Sequence, residues 1–155
     1  MARRHYAVAE VEALIPALER IFTQILQLRV GLRAVEQKLE RAGVTIDLDD
    51  NAGQDEVVQQ VQPPEAPEIR HARAVFRGFY EALSDGLEQI RILGGDVKDL
   101  DMGLVDFPGR RGSDEILLCW RLGEKRIEYW HTVEDGFASR RPIDERIPRT
   151  PSRLD

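Results

Sequence analysis

The sequence predicts an α+β fold, a long helical hairpin with a coiled-coil-like seam followed by a small three-stranded antiparallel β-meander. Three observations carry that prediction. Apolar residues recur at alternating spacings of three and four over Val11, Leu14, Leu18, Ile21, Ile25, Leu28, Leu32, Val35 and Leu39. A second run of the same period covers Ile69, Ala72, Phe76, Phe79, Leu83, Gly86, Ile90 and Leu93. After Gly95 this period gives way to short β-branched and aromatic runs punctuated by Gly and Pro.

The first run reads as a helix over residues 8–42 with a heptad seam, and Glu19, Arg20, Arg33, Glu36, Lys38 and Glu40 fill much of its opposite face. At 1.5 Å per residue it would be roughly 50 Å long and needs a long partner. Pro16 cannot donate to the carbonyl of Glu12, so a kink or a fresh helix start is expected there. Gly43 suits the C-terminal cap. Residues 43–66 read as a flexible connector, rich in acids, glutamines and proline. Within it Asp47, Asp49 and Asn51 alternate as in a calcium loop, but Ala52 stands where that loop requires Gly and Val58 where it requires Glu, so a solvated linker is the reading. The second helix spans 67–93, opening on Pro67 and stopped by Gly94 and Gly95.

The meander covers 97–133: one strand from Val97 to Phe107, a Pro108–Gly112 connection, "ILLCWRL" from Ile116, and "RIEYWHTV" from Arg126. Gly123–Glu124 reads as a two-residue hairpin turn. That turn would set Trp120 opposite Ile127, Cys119 opposite Glu128, Leu118 opposite Tyr129 and Ile116 opposite His131, grouping His131 with Trp120 and Tyr129 on the core face. Among such neighbours His131 reads as a buried, neutral ring without an acidic partner. Residues 1–141 are expected to form one domain, and 142–155, proline and charge with little to bury, a disordered tail.

Net charge is −6, carried unevenly: residues 1–106 hold 12 basic and 19 acidic side chains, residues 107–155 hold 10 and 9. An acidic chain is repelled by phosphate backbones, and acids dilute the C-terminal arginines, so no nucleic-acid partner is expected. No stretch approaches the roughly 20 apolar residues of a membrane span, and the start has no signal-peptide pattern. With Cys119 the single cysteine, no intramolecular disulfide forms and a cytoplasmic location is expected.

The residues that could carry chemistry are Asp101, Asp106, Cys119, Glu128 and His131. Carboxylate, thiolate and imidazole are the usual ligands of divalent metals, which makes Asp106, Cys119 and His131 the metal candidates. No pair has a zinc-ligand spacing such as CxxC, and the competing reading is structural: a Cys packed as a small hydrophobe, a His satisfied by a carbonyl, Asp residues bonding turns. A cysteine nucleophile normally stands at an exposed turn, whereas Cys119 is mid-strand. No feature names a cofactor. The leading expectation is a self-associating, non-enzymatic module, a homo-oligomer through the long helices; the alternative is a metal-dependent enzyme or small-molecule-binding protein with its site at the sheet.

The pairs Lys98–Asp99, Cys119–Trp120, Gly123–Glu124 and Trp130–His131, with "GLVDFP" from Gly103 and "EVEALIPAL" near the amino terminus, resemble a bacterial family catalogued as domain of unknown function 2203. The similarity spans most of Val8 to Ile143, omitting the connector and the tail. It implies a shared architecture and no particular reaction. The alanine-rich "AVAEV" lacks the polar helix cap expected there.

Overall fold

The computed structural model describes residues 3–44 and 65–152; the calcium-loop-like run at 47–51 lies outside the described residues. Helix α1 (Val8–Glu12) ends just before Pro16, and α2 (Ile15–Arg41) starts afresh, as a proline in the first turn allows. Helix α3 (Pro67–Leu93) follows. Gly94 ends it at φ +102°, with the Gly95 N–H donating to Ile90 O at 3.0 Å and Gly94 N–H to Arg91 O at 3.0 Å. A Cβ at Gly94 would stand 1.8 Å from the Tyr6 hydroxyl, so only glycine fits.

Two compact units divide the chain within the helices, residues 1–25 with 85–155 and residues 26–84. In the second unit, Leu39 and Ala72 are buried and Phe79 packs where a Cβ on Gly31 would stand. The other seam positions there, Leu28, Leu32, Val35, Ile69, Phe76, Phe79 and Leu83, are only half-buried.

The first unit holds an antiparallel sheet in the order β1 (Asp96–Asp99), β2 (Leu104–Arg111), β3 (Asp114–Arg121), β4 (Tyr129–Thr132), β5 (Arg141–Pro142). It has five strands where three were expected, for two reasons. The single strand read over 97–107 is split by a turn at 100–103: Asp99 Oδ1 accepts the Met102 N–H at 2.9 Å, and Gly103 takes φ +67° with its Cβ position 2.5 Å from Leu122 Cβ. The tail then adds β5. Pro108 lies inside β2, not in the turn; β1 pairs only with residues 104–106, so at Pro108 that edge is open and the missing N–H costs no ladder bond. The Pro108 carbonyl on the same edge accepts the Tyr6 N–H at 2.7 Å.

One sheet face makes the core. Val105, Phe107, Leu118 and Trp120 are fully buried, Trp120 against Phe22 with centroids 5.9 Å apart and Phe107 against Tyr6 edge-on at 5.5 Å. Val8, Val11, Leu18, Ile25 and Ile90 complete it, each apolar side chain adding about 1.5–3 kcal/mol. The segment read as a disordered tail belongs to this unit through the described residue 152. Ile147 is 2% exposed, and the Pro148 and Arg149 carbonyls accept the Val8 and Ala9 N–H groups at 3.0 and 2.8 Å. They supply the cap that Ala7, without a side-chain acceptor, cannot. Glu10 Oε1 adds the Ala7 N–H at 3.0 Å.

Candidate functional site

The site is a matter of register. Asp106 lies directly opposite Cys119 across β2 and β3, and Leu117 lies opposite His131 across β3 and β4. Since residues alternate faces, Asp106, Cys119 and His131 share the sheet face away from the core. The register expected from a two-residue turn at Gly123–Glu124 is therefore off by one. The connection runs through residues 122–128, where Glu124 Oε1 accepts the Arg121 N–H at 2.6 Å and Glu124 O accepts Trp120 Nε1–H at 2.9 Å. A slip of one residue carries His131 from the face of Trp120 to the face of Cys119.

All three side chains are buried, and one ligand atom from each, carboxylate oxygen, Sγ and ring nitrogen, lies within 4.8 Å of the others. His131 is not without an acid, contrary to its sequence reading: Nε2 stands 3.0 Å from Asp106 Oδ2. Nδ1 stands 2.8 Å from the Thr132 carbonyl, which can only accept, so Nδ1 carries a proton and Nε2 is the atom that meets the cluster. Burial pushes the Cys119 thiol up to about 12, together with the Asp106 charge and a hydrogen bond toward that carboxylate, while the Arg140 charge acts the other way. A thiol so held is a poor nucleophile on its own.

Arg140 braces the cluster from the side. Its Nη2 donates to Cys119 O at 3.1 Å and to Glu124 Oε1 at 2.6 Å, and its guanidinium lies over the rings of Tyr129 and Phe137 at 4.2 and 4.9 Å. Over the three buried groups opens a pocket of about 260 Å³, walled by Leu104, Leu117, Val133 and Phe137 and rimmed by Lys98, Glu134 and Asp135.

Of the residues singled out from the sequence, Asp106, Cys119 and His131 come together and Asp101 and Glu128 do not. Asp101 sits in the exposed turn before β2, and Glu128 is exposed, its carbonyl accepting the Ile143 N–H at 2.9 Å. Sequence reasoning missed Arg140, Glu134, Asp135 and Phe137 as neighbours of the site. The signal for them was the "VEDGFASR" run that starts two residues after His131 and turns back over the sheet face that His131 occupies.

Fold and site define an α+β protein whose five-stranded antiparallel sheet carries a buried acid–thiol–imidazole cluster beneath a pocket. The family described as "Uncharacterized conserved protein (DUF2203)" matches residues 4–143, nearly the whole chain, and the chain belongs to that family. No curated protein and no solved structure matches it. No helix among the described residues is long and apolar enough to cross a membrane.

Proposed function

We propose that the protein binds a divalent transition-metal ion of the zinc class through Asp106, Cys119 and His131. The observation that carries this reading is that three side chains of different donor chemistry, all buried on one sheet face, bring their ligand atoms within 4.8 Å of one another. Zinc and its relatives accept oxygen, sulfur and nitrogen ligands together in a tetrahedral shell. The His131 Nδ1 contact to Thr132 O is the outer-shell bond that orients a metal-ligating imidazole. A cation also answers the electrostatics, because it stabilises the thiolate that burial and Asp106 oppose. A ligand thiol of this kind suits a reducing compartment, consistent with the cytoplasm.

The test is metal reconstitution of chelator-treated full-length protein. Cobalt(II) should bind at one equivalent and give a thiolate-to-cobalt charge-transfer band that Cys119→Ser abolishes, and Asp106→Asn and His131→Ala should each weaken binding at least about tenfold. Cobalt binding of the same strength and spectrum in Cys119→Ser would sink the reading.

A second reading concerns assembly: two copies of the chain pair through residues 26–84, covering the helical seam in a coiled-coil-like homodimer. It rests on that unit's half-buried seam and on the 41% exposure of Tyr80, which flanks the seam residue Phe79. A two-helix unit of this length has no third element of its own among the described residues to cover those side chains. Light scattering across a concentration series tests it, and a monomer mass at every concentration overturns it.

A further inference from the structure

Resting on the metal reading, we infer that the centre is an open one, whose fourth position takes an exchangeable small ligand with an oxygen-donor head, a short apolar body and no second anionic group. Among the described residues the ligand group contains Asp106, Cys119 and His131 and no fourth His, Cys, Asp or Glu. A tetrahedral ion held by three protein groups keeps one position for water or substrate, whereas structural zinc sites close all four. The pocket opens over the same three residues, so that position faces the pocket.

The pocket's size and walls set the ligand's class. About 260 Å³ holds roughly nine water volumes, so the occupant is metabolite-sized. An anionic or polarised oxygen is the part a zinc-class ion binds and polarises. Beyond it the walls are Leu104, Leu117, Val133 and Phe137, which reward an apolar body. Farther out the rim is acidic. Glu134 and Asp135 are exposed there, and Lys98, the one rim cation among the described residues, already holds Asp96 Oδ2 at 2.7 Å. A second carboxylate on the ligand would meet that field and be rejected, while a neutral or cationic end would not.

The experiment uses cobalt(II)-loaded full-length protein titrated with monocarboxylates of increasing chain length, acetate to hexanoate, with acetohydroxamate, and with succinate as the dianionic counterpart of butyrate. Monocarboxylates and the hydroxamate should perturb the cobalt d–d bands, hexanoate binding at least fivefold tighter than acetate and butyrate at least tenfold tighter than succinate. Val133→Ser, at a position 51% exposed, should weaken hexanoate more than acetate, because it removes apolar wall and adds no metal-ligating anion. Glu134→Gln with Asp135→Asn should bring succinate closer to butyrate. Cobalt bound with its thiolate band but unmoved by any of these compounds would show a closed centre and overturn the inference, leaving the metal reading intact. Succinate binding as well as butyrate would overturn the ligand class. Failure of cobalt to bind would remove both readings together.

Discussion

His131 Nε2 stands 3.0 Å from Asp106 Oδ2 across the width of β3, which separates their strands, and both side chains are almost wholly buried. Truncating either partner leaves the other buried and uncompensated, which typically costs about 3–5 kcal/mol. Asp106→Leu and His131→Leu should each lower stability by that order. The double variant should recover much of the loss, because two apolar groups of similar bulk leave neither member of the pair buried without the other. Urea unfolding with chelator present measures this; additive losses in the double variant would show that the two side chains do not act as a pair.

The carboxy-terminal segment is structural. Ile147 is buried and the carbonyls of Pro148 and Arg149 take the first N–H groups of α1. Ending the chain after Glu145 exposes the site of one buried isoleucine and leaves two helix donors to water, a loss of about 2–4 kcal/mol. Thermal unfolding of the truncated chain against full length checks it, and an unchanged midpoint would contradict the packing.

Glu10 gives a pH dependence. Its carboxylate lies below the ordinary glutamate range, first because it accepts the Ala7 N–H and then through Arg4, whose Nη2 is 2.8 Å from Oε2. A depressed carboxylate adds stability that is complete above the unfolded value near about 4.3 and is lost as pH falls through the lower folded value. Wild type should therefore exceed Glu10→Gln in melting temperature at pH 6, with the gap closing toward pH 3. A gap independent of pH would assign the effect to packing.

How much of this was legible in the sequence depends on the range of the interaction. The two long helices, the restart at Pro16 and the stop at Gly94 follow from local periodicity and backbone chemistry, so they read directly. The strand register did not. Gly123–Glu124 looks like a minimal hairpin, yet the geometry of 122–128 is set by Glu124 bonding back to Arg121 and Trp120, contacts that spacing alone does not announce. That single residue of slip decided whether His131 faced the core or joined Cys119. The ordering of the tail was hidden for a similar reason, since Ile147 is flanked by charge and proline and is ordered by α1, more than a hundred residues away in sequence.

If the seam of the second unit is covered by a second copy, an acidic group at the exposed aromatic that flanks it should separate the copies without unfolding either. Tyr80 follows the seam residue Phe79 and is 41% exposed, so Tyr80→Asp should give monomer by light scattering with the helical circular dichroism of wild type. Leu28→Asp, at a half-buried seam position, should both dissociate and destabilise. A dimer that survives Tyr80→Asp would place the interface elsewhere.

Cys119 offers a direct probe of the cluster in metal-free protein. Its thiol is pushed up to about 12, foremost by burial and next by the charge of Asp106. Alkylation proceeds through the thiolate, so folded protein at pH 8 should react with iodoacetamide at least about a hundredfold more slowly than the unfolded chain, whose thiol has the ordinary value near 8.5. The rate should rise about tenfold per pH unit from 8 to 11, because the thiolate fraction does. Asp106→Asn removes the anion, which opposes ionisation of the thiol, and should speed the reaction at fixed pH. Arg140→Gln removes a nearby cation that favours the thiolate and should slow it. Opposite responses to these two substitutions, with secondary structure unchanged, would locate the sulfur between the acid and the guanidinium; equal responses would mean that local unfolding, and not the electrostatics of the cluster, sets the reactivity.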